Sequence, residues 1–291
     1  MDEHESDQVS AQDMRRHGDA DRERIEIELL LEGMYKVYGY DFRDYAYPSL
    51  KRRIWHQVYA EQLASISELQ GKVLYNRDYV QRLVHTLSIP VTEMFRDPKM
   101  YAAFRDKVVP LLRTYPYIRI WHAGCSTGEE VYSMAILLQE EGLYEKARLY
   151  ATDMNPVVLQ KAKEGRCSLD KMRLYTTNYL EAGGKRSFSE YYNAAEDGSV
   201  IFHPSLRKNI IFSDHNLATD MSFNEFNVIL CRNVMIYFND ALRDRVHRLF
   251  CESLAPLGVL VLGSKESIHF TDCESHYEEV DRVEKIYRKI R

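Results

Sequence analysis

The residues with the clearest chemical meaning lie in Ile118-Arg-Ile-Trp-His-Ala-Gly-Cys-Ser-Thr-Gly-Glu-Glu-Val-Tyr-Ser-Met-Ala135, where a short apolar run breaks into a glycine turn and then opens a helix with two carboxylates. In an open α/β fold the first strand-to-helix turn lets a nucleotide-like ligand approach the backbone, because glycine admits close contact and a helix N-terminus offers N–H groups. Gly124 and Gly128 do not reproduce G-x-G-x-x-G, and no Lys follows them as a P-loop requires. Glu129 and Glu130 stand where a phosphate would have to go. The turn therefore disfavours NAD and ATP and suits a nucleoside carrying positive charge. S-adenosylmethionine, with a sulfonium and an ammonium but no phosphate, is the common one, and methyl transfer is the chemistry it implies.

Other residues join this turn as candidates. Asp153 ends Leu149-Tyr-Ala-Thr-Asp153, the place where a carboxylate meets ribose hydroxyls in nucleotide-binding βαβ units; the alternative is a cap on the helix that opens at Asn155-Pro156. Glu129 reads as a counter-charge for the ligand's amino-acid end, against a favourable helix-dipole contact, whereas Glu130, about 100° around the helix, reads as a solvent or structural carboxylate. In Ser213-Asp-His-Asn-Leu217, Asn216 can bond an adenine edge and Leu217 pack on its face, or the segment is a polar turn. Leu230-Cys-Arg-Asn-Val-Met-Ile-Tyr-Phe238 runs from a buried strand into charge at Arg232 and Asn233, as binding crevices do. It lacks the Pro-Pro of the Asn-Pro-Pro-Tyr loop used to methylate base amino groups. In Thr92-Glu-Met-Phe-Arg-Asp97 the Arg96 fork suits a carboxylate, or simply lies beside Asp97. Lys51, Arg52 and Arg53 form a local basic patch, either solvated or a docking face for an acidic helix.

Composition narrows the partners. A net charge of −5 over 291 residues gives no global field for nucleic acid. The five cysteines form no C-x-x-C and read as buried or incidental thiols, the ten histidines show no metal spacing, and no metal is expected. No signal-like or membrane-length apolar run is present, so a cytoplasmic protein without membrane insertion is expected.

These residues need elements to hold them. Residues 1–22, polar and charged, read as a disordered tail. Helical periodicity follows: Ile25, Leu29, Leu30 and Val37; then Leu50, Ile54, Val58 and Leu63, opened by Pro48; then Tyr79, Val80, Leu83, Val84 and Leu87. Residues 23–96 are thus a helical N-terminal domain and 97–116 a linker helix. From 117 to 291 strands and helices alternate, implying βαβ crossovers and a mostly parallel sheet closed by an antiparallel hairpin of Tyr277–Val280 and Lys285–Ile290. Gly183-Gly184 and Asp197-Gly198 punctuate a small antiparallel insertion at about 183–212, containing Ser199–His203 and Asn209–Phe212. The expected fold is α/β: a Rossmann-like class I methyltransferase domain with a β-subdomain insertion, preceded by a small all-α domain.

From about residue 25 onward the chain resembles the CheR family, S-adenosylmethionine-dependent protein-glutamate O-methyltransferases of bacterial chemoreceptors. The resemblance rests on Thr92-Glu-Met-Phe-Arg96, Ala123-Gly-Cys-Ser-Thr-Gly-Glu-Glu-Val-Tyr-Ser133, Tyr150-Ala-Thr-Asp153, Asn216-Leu217, Cys231-Arg-Asn-Val-Met-Ile-Tyr-Phe238 and Gly263-Ser-Lys-Glu266. It implies that Thr92, Arg96, Gly124, Glu129, Asp153, Asn216, Leu217, Arg232 and Asn233 line the cofactor site, with Arg96 and Tyr237 nearest the methyl donor. S-adenosylhomocysteine would be the product. The implied partner is a chemoreceptor cytoplasmic domain, contacted through the basic patch; in some members the β-subdomain also binds a receptor tail peptide. A monomer recruited to membrane receptor arrays is expected. The alternatives are a cofactor-binding regulator without activity and a methyltransferase on another acceptor. Two departures from the family pattern stand out: Pro90 replaces a usual Asn, and Lys265 interrupts a usual Gly-His-Ser-Glu or Gly-Ser-Ser-Glu.

Overall fold

The computed structural model describes residues 3–88 and 91–291, with side chains from Ala20 onward. The chain divides into two compact units, 1–89 and 90–291. This boundary differs from the expected one at 96/97 and assigns Thr92–Arg96 to the second unit.

The first unit is four helices: α1 Glu3–Tyr38, α2 Tyr47–Ala60, α3 Ile66–Tyr75 and α4 Arg77–Ser88. The backbone of α1 is helical through residues 3–22, where the composition implied a tail; the run contains no proline to break it. Residues 1 and 2 lie outside the described residues. The buried face of α1 also differs from the expected one: Ile25, Leu29 and Val37 are exposed, and Ile27, Leu30, Leu31 and Met34 are buried. Those four occupy positions i, i+3, i+4 and i+7, a single stripe, which packs on α3. Ile54 and Val58 of α2, Leu69 and Val73 of α3, and Leu83 and Leu87 of α4 complete this core.

The second unit begins with α5 Pro98–Ala103 and α6 Val109–Thr114, joined by a π turn at Phe104–Val108. Pro110 has no N–H to continue the α-helical ladder, and the wider turn precedes it. Then come β1 Ile118–Ala123, α7 Glu129–Glu140, β2 Ala147–Asp153, α8 Pro156–Glu164, β3 Arg166–Ser168, α9 Met172–Glu181, β4 Tyr192–Ala194, β5 Ser199–Phe202, α10 Pro204–Arg207, β6 Ile210–Asp214, β7 Phe226–Cys231, α11 Asp240–Ser253, β8 Leu254–Leu262, β9 Tyr277–Asp281 and β10 Ile286–Lys289. The seven-stranded sheet runs β6-β2-β1-β7-β8-β10-β9. Its first five strands are parallel and β10 is antiparallel to both β8 and β9, the expected closing hairpin.

One expected grouping is corrected. Ile210–Phe212 pairs in parallel with Leu149–Ala151 at the edge of the main sheet. The insertion is instead β3-β5-β4, starting at Arg166. A short apolar strand carries no mark of its partner, and only pairing decides which sheet it joins. Among the described residues no helix is long and apolar enough to cross a membrane.

Candidate functional site

The chain leaves β1 for β2 and β6 in one direction and returns to β7 and β8 in the other, so the carboxyl ends of β1 and β7 flank the switch point of the sheet. Open α/β sheets bind ligands there. At that end Gly124 N–H and Cys125 N–H both donate to Thr152 O at 2.8 Å, coupling the turn after β1 to the end of β2. Gly124 has φ +80°, and a Cβ there would lie 2.6 Å from Val234 Cγ2, so the turn and the segment after β7 touch through the missing side chain.

Asp153 is committed to this turn. Its Oδ2 accepts from Ser126 N–H at 2.9 Å and its Oδ1 from Asn155 N–H at 3.0 Å. Asn155 supplies the cap of α8 itself, accepting from Val157 N–H, so Asp153 is not the cap that the alternative reading required. An ionised carboxylate has about four acceptor positions, which leaves capacity for ribose hydroxyls. Burial raises its pKa, opposed by the backbone N–H groups of Asn155 and Ser126.

The adjacent glutamates have different surroundings. Glu129 is buried, accepts from Thr127 Oγ1 at 2.6 Å, and has its pKa raised by desolvation. No cation is bonded to it among the described contacts. Glu130 accepts from Arg232 at 3.3 Å and bonds His122 Nδ1 at 2.9 Å. Burial pushes its pKa up, but the His122 and Arg232 contacts outweigh burial and hold it below the ordinary value. Glu130 is thus structural.

Arg232, expected at the cofactor, is largely consumed by packing. Its guanidinium donates to Glu130, to Asp97 Oδ2 at 2.7 Å and to Arg96 O at 3.0 Å. It holds the Thr92–Arg96 segment together with Ser133, whose Oγ accepts from Phe95 N–H at 2.8 Å, and Asn178, which donates to Met94 O at 3.0 Å. Elements β7, α7 and α9 therefore place Arg96 beside the switch point. Ser133 closes the motif that begins at Ala123, but neither its role here nor that of Asn178 is legible in sequence, because their partners lie on a distant segment. The Arg96 side chain donates to Val91 O at 3.2 Å. Thr92 is half-buried in the same segment, and Pro90 lies outside the described residues.

Glu266, the last residue of the Gly263-Ser-Lys-Glu266 motif, to which the sequence reading assigned no role, organises the loop after β7. Its two oxygens accept from the N–H groups of Gly263, Asn233, Val234 and Met235 at 2.7 to 3.0 Å. Burial raises its pKa against those four donors. Asn233 is thereby fixed at φ +61°, and Tyr237 follows in the half-exposed turn Met235–Tyr237. Lys265 is exposed and lines a cleft of about 480 Å³ with Met235 and Ile236, so that departure from the family pattern falls on the solvent side of the loop.

On the other flank, His215 N–H donates to Asp153 O at 3.3 Å, bringing Asn216 and Leu217 to the end of β2. Leu217 is buried. Asn216 Oδ1 accepts from Ala218 N–H, so its adenine-side donor would be Nδ2.

A cationic nucleoside without phosphate fits these residues. Ser126 Oγ and Asn233 Oδ1 are buried without partners, two polar groups that a ligand bearing hydroxyl and ammonium groups would satisfy. Glu129 supplies an unpaired negative charge rather than the positive charge that phosphate needs.

Lys51, Arg52 and Arg53 lie on α2 of the first unit. Lys51 pairs with Glu23 at 2.5 Å and Arg53 donates to Leu87 O at 2.6 Å, while Arg52 is exposed.

Residues 90–283 match the family described as CheR methyltransferase, SAM binding domain, and residues 25–88 match CheR methyltransferase, all-alpha domain. Over 265 residues the chain is 52% identical to a Pseudomonas putida protein named "Putative methyltransferase Cher3", covering 91% of this chain and 97% of that one. It is 28% identical over 232 residues to the "Chemotaxis protein methyltransferase" of Listeria monocytogenes, covering 79% and 85% of the two chains. The protein of that name from Vibrio parahaemolyticus is 28% identical over 258 residues, covering 86% and 90%.

Proposed function

The chain belongs to the CheR methyltransferase family and is an S-adenosylmethionine-dependent methyltransferase, and from that premise we propose that its acceptors are glutamate side chains on chemoreceptor cytoplasmic helices, esterified in chemotaxis adaptation or a related signalling system. The observation that supports this reading is the anchoring of the Thr92–Arg96 backbone by Ser133 of α7, Asn178 of α9 and Arg232 after β7, which ties the segment bearing Arg96 to the helix that opens at Glu129.

The bound cofactor supplies an electrophilic methyl group. A glutamate carboxylate is ionised near neutral pH, so the protein need not remove a proton from it. Alignment is the main task, since the attacking oxygen must lie in line with the methyl carbon and its leaving sulfur. Arg96 orients the acceptor carboxylate with its planar fork. Tyr237 offers a hydroxyl near the reacting centre. Glu129 holds the cationic amino-acid end, Asp153 the ribose, and Asn216 with Leu217 the adenine side. Arg232 acts through position, fixing Arg96 and Asp97. Of the three basic residues Lys51, Arg52 and Arg53, the exposed Arg52 is available to an acidic receptor helix.

The test is incubation with methyl-labelled S-adenosylmethionine and receptor cytoplasmic fragments, with and without their C-terminal tails. Label that is released by mild base supports a carboxyl ester; label stable to base excludes it. Arg96→Ala, assayed at cofactor concentrations that calorimetry shows to be saturating, should lose most ester formation. Unchanged methylation by that variant would remove the orienting role.

A further inference from the structure

Far from the switch point, the structure joins residues whose sequence separations carry no metal motif. Cys251, Cys273 and His276 place their ligand atoms within 4.8 Å of one another. Cys251 lies in the last turn of α11, and Cys273 and His276 flank the single turn that leads into β9. All three are soft or borderline ligands of the kind zinc prefers. The cysteines are free thiols, and Cys273 is buried while the other two are half-buried, leaving an approach from solvent.

Two further observations bear on the cluster. His276 Nδ1 is shut off from solvent and has no hydrogen-bond partner, a state it shares with other histidines of this chain, but at His276 two thiols lie within reach of the imidazole. Both ligand-bearing segments are also fastened to consecutive residues after the turn of the closing hairpin. Lys289 Nζ donates to Cys251 O at 2.7 Å and to Leu254 O at 2.8 Å, and Ile290 N–H donates to His276 O at 2.8 Å. A further backbone bond, His276 N–H to Cys273 O at 2.9 Å, fixes the Cys-x-x-His turn. The ligands are thus carried on braced backbone, which favours a defined site.

We infer that Cys251, Cys273 and His276 form a zinc site that ties the end of α11 to the antiparallel edge of the sheet. In a tetrahedral site with Zn–S of about 2.3 Å, ligand atoms sit about 3.5–3.8 Å apart. Side-chain rotation of about 1 Å reaches that spacing from the present arrangement. As each sulfur–zinc bond forms, its thiol proton passes to solvent, and His276 gives a lone pair without losing a proton. Solvent takes the fourth position. The site lies at the amino end of β8, opposite the carboxyl ends that hold the cofactor, so its role is to brace the fold.

The test uses the full chain, stripped with a chelator and titrated with Co²⁺ and then Zn²⁺. One cobalt per chain with a sulfur-to-metal charge-transfer band, displaced by zinc and accompanied by a higher Tm, is the expected result. His276→Gln and Cys273→Ser should each weaken zinc binding by at least about 10-fold while leaving S-adenosylmethionine affinity unchanged. Absence of the band in the unmodified chain overturns the site whether or not the variants fold. Equal zinc affinity in folded variants, or a Cys251–Cys273 disulfide in the chain as isolated under non-reducing peptide mapping, overturns it as well.

Discussion

Glu129 and Glu130 are neighbours in sequence and opposites in environment. Glu130 is bonded to His122 and Arg232, while Glu129 sits in a desolvated setting with the Thr127 and Tyr175 hydroxyls and the more distant charge of Lys171. Removing one partner of a buried ion pair strands the other, at a cost of about 3 kcal/mol or more. Glu130→Ala should therefore lower unfolding free energy by about 3 kcal/mol in denaturant titration, at the low end because Arg232 keeps Asp97. Glu129→Ala should lose little stability and much S-adenosylmethionine affinity. Glu129 also sets a pH dependence. Its pKa in the free protein is raised by burial, and a bound ammonium favours its charged form. Cofactor binding should then release a proton near that raised pKa, with affinity rising as pH increases through it and levelling above. Calorimetry across pH, in buffers of different protonation enthalpy, measures both. For folding the sign reverses: the native state holds this proton more tightly than the unfolded chain, so ionisation of Glu129 removes stability as pH rises from 4.5 through the raised value. The helix periodicity already separates the two glutamates by face, but Glu130's partners come from β1 and the end of β7 and leave no local trace.

At the scale of elements, the site is a junction of two loops rather than one glycine turn. The first follows β1 and needs Gly124 at φ +80° with Val234 pressed against its Cα. Gly124→Ala should destabilise by about 1–2 kcal/mol from the left-handed backbone alone, with the Val234 clash added. In a double-mutant cycle with Val234→Ala, the pair should be more stable than the sum of the single changes, since the clash disappears. Additive effects measured by denaturant titration would show that the loops are not in contact through this point. The second loop follows β7 and is shaped by Glu266, which accepts from four backbone N–H groups. The parallel strands other than β6, the helix that opens at Glu129 and the closing hairpin are legible in sequence because each has local periodicity and a cap or turn, whereas β3 and β4, three residues each, are too short to show a period. Strand β6 was misplaced, and the buried face of α1 misread, because both depend on what packs against a short apolar run.

Across the whole molecule, the chain divides into two compact units, each matching its own family model. The first unit contains the basic segment of α2, in which Lys51 and Arg53 have intramolecular partners and Arg52 is exposed. Arg52→Glu should raise KM for an acidic receptor fragment by about 3- to 10-fold, with kcat and cofactor affinity unchanged and the effect shrinking at high salt. An unchanged KM would remove Arg52 from receptor contact. The sequence by itself determined the fold class and the cofactor, because those follow from residue type, periodicity and short fixed spacings. Tertiary structure alone decided that Arg232 braces Arg96, that Glu266 shapes the Asn233 loop, and that Cys251 meets Cys273 and His276. The reason is physical: a carboxylate, guanidinium or thiol acquires its role from partners brought to within about 3 Å, or 4 Å for sulfur, and strand order rather than chain order sets those partners.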